Sequence, residues 1–192
     1  MDAYNKRRSN KQDFLWRDLT LLNYACVEPY LSKDKIILDL GAGDCAMATL
    51  MAHNAKHVTA VDYAPIIKTV SDPKISIICC PIESYFDLNK YDIITIFGVM
   101  NYVQNPEKVY KACKEQLADG GVLLIKHQCG RITDKEIATD IDGDRYVALY
   151  RHYKYDEEIL AKLGFKVVIS DPYPLEYNTW PDTFFKLFTC TL

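Results

Sequence analysis

Residues 38–46 read LDLGAGDCA, and no other stretch constrains the fold as strongly. An apolar strand runs into two glycines one residue apart and then into a helix start. Glycine tolerates the positive φ that so sharp a turn needs, and the first turn of a helix presents N–H groups without intrahelical partners. A short strand with no polar face is buried on both sides. The stretch therefore predicts a parallel sheet with helices packed on both faces.

The rest of the chain repeats the alternation. Apolar runs predict strands over Lys35–Leu40, Val58–Val61, Ile75–Cys79, Asp92–Phe97, Val122–Lys126, Phe165–Ser170 and Thr183–Thr189. Helical spacing predicts helices over residues 13–31 (ending near Pro29), Asp44–His53, Pro65–Val70, Pro106–Leu117 and Asp156–Leu163. The last two strands have no helix between them, so they form a hairpin with one strand antiparallel at the sheet edge. The expected fold is α/β: a doubly wound, mostly parallel seven-stranded sheet with an antiparallel C-terminal hairpin strand. Residues 1–192 read as one domain, with 1–31 an N-terminal arm and helix and 127–154 a lid insertion after the fifth strand.

A formal net charge of −3 argues against a general phosphate-binding face. The seven cysteines are scattered without a CxxC pair, as expected of thiols in a reducing cytoplasm. The N-terminal residues contain no apolar signal core, and no apolar run is long enough to span a membrane.

GAGDCA fits G-x-G-x-x-A, and Asp62 ends the next strand about twenty residues on, as a dinucleotide fingerprint asks. A carboxylate there can accept hydrogen bonds from a ribose diol. The motif alone does not separate a nicotinamide cofactor from S-adenosylmethionine, and a plain strand–helix turn is the bland alternative. Three features favour S-adenosylmethionine. Asp39 lies inside the strand, where an unused carboxylate is costly to bury; it suits a cationic cofactor and would repel a pyrophosphate. A helical segment precedes the motif. The chain is too short for a separate substrate domain.

At these residues the sequence resembles the class I S-adenosylmethionine-dependent methyltransferases. ILDLGAGDCA looks like that family's first motif and VTAVDYAP like its second, while YDIITIFGVMNYVQNPEKVYKAC and LADGGVLLIKH look like its fourth and fifth strand regions. The resemblance runs from about Ile36 to Lys126 and implies a Rossmann-like methyltransferase fold. It also implies that Asp39, Gly41, Ala42 and Gly43 line the methionine part of the cofactor. Asp62 would then bind the ribose, Tyr63 lie against the adenine and Phe97 run beside the sulfonium. Many members carry an Asp after the third strand for the adenine amino group. Here Pro81 stands in its place, and the Ile82 amide or Glu83 is expected to take over. Arg17 in the first helix is expected to meet the cofactor's carboxylate.

Methyl transfer is an in-line displacement that needs a nucleophile within about 3–3.5 Å of the methyl carbon. The fourth strand ends in Phe97-Gly98-Val99-Met100, without the Asn/Asp-Pro-Pro-aromatic run of nucleic-acid amino methylators and without acidic metal ligands. No nucleic acid and no metal are expected. Asp140-Ile141-Asp142-Gly143-Asp144 has the wrong order for a calcium loop and reads as a tight turn. His127, after the fifth strand, is the candidate base, with substrate contact and a structural role as alternatives. Tyr102, Arg145, Tyr150, Arg151, Tyr177 and Trp180 are the expected acceptor contacts. Arginines among aromatics suit a sugar, nucleotide-sugar or phosphate compound. KHQCG, YRHY and the DPYPLEYNTW loop resemble tailoring methyltransferases of surface-polysaccharide clusters.

The expectation is thus a cytoplasmic enzyme, monomer or homodimer, that O-methylates a small polar acceptor. N-methylation of a small amine or amino sugar is the alternative within the class. A catalytically inactive cofactor-binding regulatory protein and a nicotinamide-dependent oxidoreductase are the alternatives outside it.

Overall fold

The computed structural model describes residues 13–63, 70–141, 144–174 and 182–192, with side chains described outside 13–18, 137–141 and 144–146. Ile36–Leu40 (β1) pairs in parallel with His57–Asp62 (β2) on one side and Tyr91–Phe97 (β4) on the other. Ile75–Cys79 (β3) flanks β2, and Leu117–Gly130 (β5) flanks β4. Asp92 anchors the start of this core. Its carboxylate accepts from the Ile36 amide at 2.8 Å and pairs with Lys35 at 3.3 Å, joining the first turns of β1 and β4.

Thr183–Thr191 (β9) runs antiparallel to β5, and Lys166–Ser170 (β8) antiparallel to β9. The seven strands stand in the order β3-β2-β1-β4-β5-β9-β8. The doubly wound, mostly parallel sheet is as expected, with one difference: the antiparallel strand β9 lies one place in from the edge. The sequence explains the swap. TFFKLFTCT is buried along most of its length, whereas KVVIS alternates exposed and half-buried positions, the pattern of an edge strand.

Asp13–Val27 (α1) and Ala46–Ala52 (α2) cover one face of the sheet. There Ile37, Val58, Ala60, Ile93, Val122 and Leu124 pack against Val27, Ala48 and Met51. Pro106–Gln116 (α3) and Tyr153–Lys162 (α4) cover the other. Leu38, Leu40, Ile94, Ile96, Leu123, Ile125 and Phe188 meet Val109, Tyr110 and Leu160 there. Successive strand residues point to opposite faces, so β1, β2, β4 and β5 each feed both cores. Of the short helix expected around Pro65–Val70, residues 65–69 lie outside the described residues.

The expected lid, 127–154, divides into known parts. β5 continues to Gly130, and Lys135–Ile141 (β6) and Asp144–Tyr150 (β7) form a separate antiparallel pair. The register runs to Ile141 opposite Asp144, bracketing the Asp-Gly dipeptide. No helix among the described residues is long and apolar enough to cross a membrane.

Candidate active site

The carboxyl end of β1 opens into the glycine turn. The Gly41 and Ala42 amides both bond the Val61 carbonyl, at 2.8 and 3.1 Å, and the Gly43 amide donates to Asp62 Oδ2 at 2.7 Å. Gly41 has φ +82°, and a Cβ there would stand 2.8 Å from the Val99 side chain. Any side chain at position 41 would thus be strained and would collide with the turn after β4. Asp44 accepts from the Ala46 amide at 3.1 Å and helps to open α2.

Asp39 sits one turn beneath this loop, 3 % exposed. Thr95 donates to its Oδ1 at 2.7 Å, while Oδ2 has no hydrogen-bond partner. Burial pushes its pKa up to about 6; the Thr95 bond opposes that shift, and Asp62 reinforces it. An ionisable oxygen left without a donor is costly in a protein core. Such an arrangement suits a cationic guest.

A cavity of about 320 Å³ opens beside the turn, lined by Gly41, Asp62, Tyr63, Ile82, Glu83 and Tyr102 among others. Five residues expected to hold the cofactor therefore share one pocket with Tyr102, which was expected on the acceptor side. Tyr63 and Tyr102 are 62 % and 52 % exposed, so each presents ring surface to the opening. Ile82 begins the helical turn Ile82–Ser84. The Glu83 carboxylate accepts from the Gln104 amide at 3.2 Å, tying this turn to the segment after β4.

The carboxyl ends of β4 and β5 form the other half of the site. Phe97 pairs with Lys126, and the Gly98 amide bonds the Lys126 carbonyl at 2.7 Å. Lys126 points to the α1/α2 face, the face of Asp39, Thr95 and Phe97, and is 5 % exposed. Its Nζ donates to Tyr173 Oη at 2.7 Å, and Tyr173 donates in turn to Asn23 Oδ1 on α1 at 2.6 Å. The rings of Phe97, Tyr173 and Phe185 surround the ammonium at 5.8, 5.2 and 5.1 Å. Burial pulls its pKa down to about 8, with the Cys26 thiol opposing weakly. An amine so placed can carry or accept a proton near neutral pH. Lys126 is not among the residues expected at the site, although a lysine closing the apolar run VLLIK is a visible signal in the sequence.

His127 requires a correction. It lies at the expected rim of the sheet, but its ring turns into the α3/α4 core and is 2 % exposed. Nε2 lies 3.1 Å from Asp156 Oδ2, and the ring stacks on Phe188. Burial alone would lower its pKa, but Cys129 and the Asp156 carboxylate outweigh it and hold the ring protonated. Tyr110 donates to the same carboxylate at 2.6 Å. A protonated imidazole paired with Asp156 on the face opposite Asp39 is not placed to act as the base. The pairing joins β5 to α4.

Arg151 also departs from the expected acceptor role. It is buried, and its guanidinium donates to the Met100 and Val103 carbonyls at 3.3 and 2.8 Å, satisfying the helical turn Met100–Tyr102. Asn101 in that turn donates to the Gln128 and Leu149 carbonyls, at 2.7 and 3.2 Å, fastening the β6–β7 unit to the site. Tyr150 is half-buried at the end of β7. Arg17 lies on α1 and Arg145 on β7, but their side chains lie outside the described set. Tyr177 and Trp180 lie outside the described residues.

Comparison with known proteins adds four findings. A family model described as a methyltransferase domain matches residues 10–170. A ubiquinone biosynthesis O-methyltransferase of Idiomarina loihiensis is 30 % identical over 99 residues, covering 47 % of this chain and 41 % of that protein. A tRNA U34 carboxymethyltransferase of Proteus mirabilis is 28 % identical over 159 residues, covering 74 % of this chain and 48 % of that protein. The chain thus spans less than half the length of these curated relatives. Among solved structures, the 1,6-didemethyltoxoflavin-N1-methyltransferase of Burkholderia thailandensis superposes with a TM-score of 0.73 at 16 % identity. That match covers 98 % of this chain and 82 % of that one, and the enzyme was solved with its substrate and S-adenosylhomocysteine bound.

Proposed function

The chain belongs to the methyltransferase-domain family, and on that premise we propose that it transfers a methyl group from S-adenosylmethionine to an oxygen of a small polar acceptor. The observation that carries the cofactor assignment is the buried Asp39 oxygen without a donor beneath the glycine turn. The residues present fit the donor. Asp39 offers a carboxylate toward its cationic methionine half, and Gly41 leaves room that a Cβ would fill. Asp62 stands at the ribose position, with Oδ2 fixed by the Gly43 amide. Tyr63 and Ile82 bound the adenine end. The Ile82 N–H can donate to an adenine ring nitrogen, while Glu83, whose Oε1 accepts from the Gln104 amide, keeps a second oxygen to accept from the amino group in place of the missing Asp.

When bound, the donor supplies a sulfonium methyl group open to in-line displacement. Asp39 balances charge, the turn amides orient, and Phe97 with Tyr173 and Phe185 excludes water from the transfer end.

The acceptor reading remains a sugar, nucleotide-sugar or phosphate-containing precursor of a surface polysaccharide. It rests now on the aromatic rim and the sequence likeness, since Arg151 serves the fold. A small molecule is favoured over RNA by the net charge of −3. A cytoplasmic setting is supported by cysteines that are all free. The test is incubation with the methyl donor and a panel of sugars, nucleotide-sugars and amino sugars, read by mass spectrometry. A gain of one methyl group on a hydroxyl supports the reading. Methylation confined to amines would replace it with the N-methyl alternative.

A further inference from the structure

Lys126 is an unusual residue to find where it is. It is almost wholly buried, and among the described residues it has no carboxylate partner. Among the described residues, the groups that face it are neutral or aromatic. Asn23 and Cys26 approach from α1, Tyr173 from the β8–β9 connection, Phe97 from β4 and Phe185 from β9. Burial pushes both the Cys26 thiol and the Tyr173 phenol toward their neutral forms. A lysine needed only for packing would be replaced at no loss by leucine or methionine, since an unpaired buried ammonium destabilises a fold. Its Nζ is instead held in place by a two-step chain, Lys126 to Tyr173 to Asn23, that joins β5 to α1 across the transfer end of the site.

We propose that Lys126 is the general base of the transfer and that the positive charge of the bound methyl donor switches it into the neutral, proton-accepting form. This rests on the methyl-transfer reading above. Lys126 shares the sheet face of Asp39 and Phe97, and stands against the ring expected beside the sulfonium. A sulfonium seated beside Phe97 and the Lys126 ammonium 5.8 Å from that ring would repel, so arrival of the donor drives the ammonium proton off to solvent. The neutral amine still donates one N–H to Tyr173 and keeps a lone pair for the acceptor. Lys126 Nζ then receives the hydroxyl proton while the acceptor oxygen's lone pair forms the bond to the methyl carbon and the carbon–sulfur pair returns to sulfur. One positive charge is on sulfur before the step and on nitrogen after it, so the buried site carries the same net charge throughout. Tyr173 and Asn23 are positioning residues: they aim the amine.

The thioether product and the sulfonium donor differ by a methyl group and a charge, which gives a test independent of turnover. The probe is lysine-selective 13C NMR of the whole protein titrated from pH 6 to 11, free, with S-adenosylhomocysteine and with S-adenosylmethionine. The Lys126 resonance is assigned by its loss in Lys126→Met, or in Lys126→Arg should the first fail to fold. The expected result is a midpoint near 8 in the free protein. It should change little with the thioether and fall by about one to two pH units with the sulfonium. A midpoint that is the same with both ligands, or one that stays above about 10, overturns the proposal while leaving the cofactor reading intact. If neither nucleoside binds, as calorimetry on the same samples would show, the methyl-transfer reading falls instead, and the proposal with it.

Discussion

Lys126 and His127 are adjacent in β5 and leave it on opposite faces: the Lys126 Nζ meets Tyr173 Oη at 2.7 Å on the α1 side, while His127 Nε2 meets Asp156 at 3.1 Å in the α4 core. Their environments move the two proton affinities in opposite directions. The lysine is made easier to deprotonate and the histidine harder. The pair therefore gives the protein two opposed dependences of stability on pH, and single substitutions separate them.

For His127 the folded-state pKa is raised, to about 10. Its stabilising contribution is complete below its unfolded value of about 6.5 and is lost as pH rises through the folded value. His127→Gln should lower stability by about 3 kcal/mol near pH 6, because it strands a buried carboxylate. The loss should shrink toward pH 10. Urea unfolding at several pH values measures this. Methyl transfer by the folded variant should be unchanged, which distinguishes a structural histidine from a catalytic base.

For Lys126 the folded-state pKa is depressed, so protonating it works against folding. Below about pH 8 the full penalty applies, and it disappears as pH rises past the unfolded value of about 10.4. Lys126→Met should raise unfolding free energy by on the order of 3 kcal/mol at pH 7 and by almost nothing at pH 10.5. The same urea series, run beside His127→Gln, should show slopes of opposite sign.

Asp39 connects the fold to the donor. With its carboxyl pushed up to about 6 in the free protein, affinity for the sulfonium donor should weaken as pH falls through that value. Asp39→Asn should reduce affinity for S-adenosylmethionine roughly 10- to 100-fold, the range of a charged hydrogen bond. It should reduce affinity for the uncharged thioether less. Equal losses for both ligands would mean that Asp39 only holds the loop.

Much of this was legible in the chain. LDLGAGDCA, the strand alternation and Asp62 carry enough local physics to specify the sheet and the nucleoside end, because a glycine turn, a buried strand and a rim carboxylate each have one purpose there. What was not legible depended on parity and partners. KH, where β5 runs past the end of β4, contains two titratable residues, and only the register decides which one faces α1. Arg151 looks like a binding group until the Met100 and Val103 carbonyls are seen to take its hydrogen bonds. The antiparallel strand was assigned to the edge because hairpin connectivity does not say which strand of the pair is the better buried.

The Gly41 turn offers a prediction about shape alone. Gly41→Ala combines a positive φ with a clash against Val99, so it should cost roughly 1–3 kcal/mol and abolish nucleoside binding. Adding Val99→Ala relieves the clash but not the φ strain, and should recover stability in part. Thermal unfolding of the single and double variants measures both effects.

The most direct test of the central claim is calorimetric titration of the purified protein with S-adenosylmethionine, S-adenosylhomocysteine and NAD in parallel. The account predicts saturable binding of the first two, lost in Gly41→Ala, and none of NAD. Binding of NAD alone would contradict it, and the unpartnered carboxylate of Asp39 would then need another explanation.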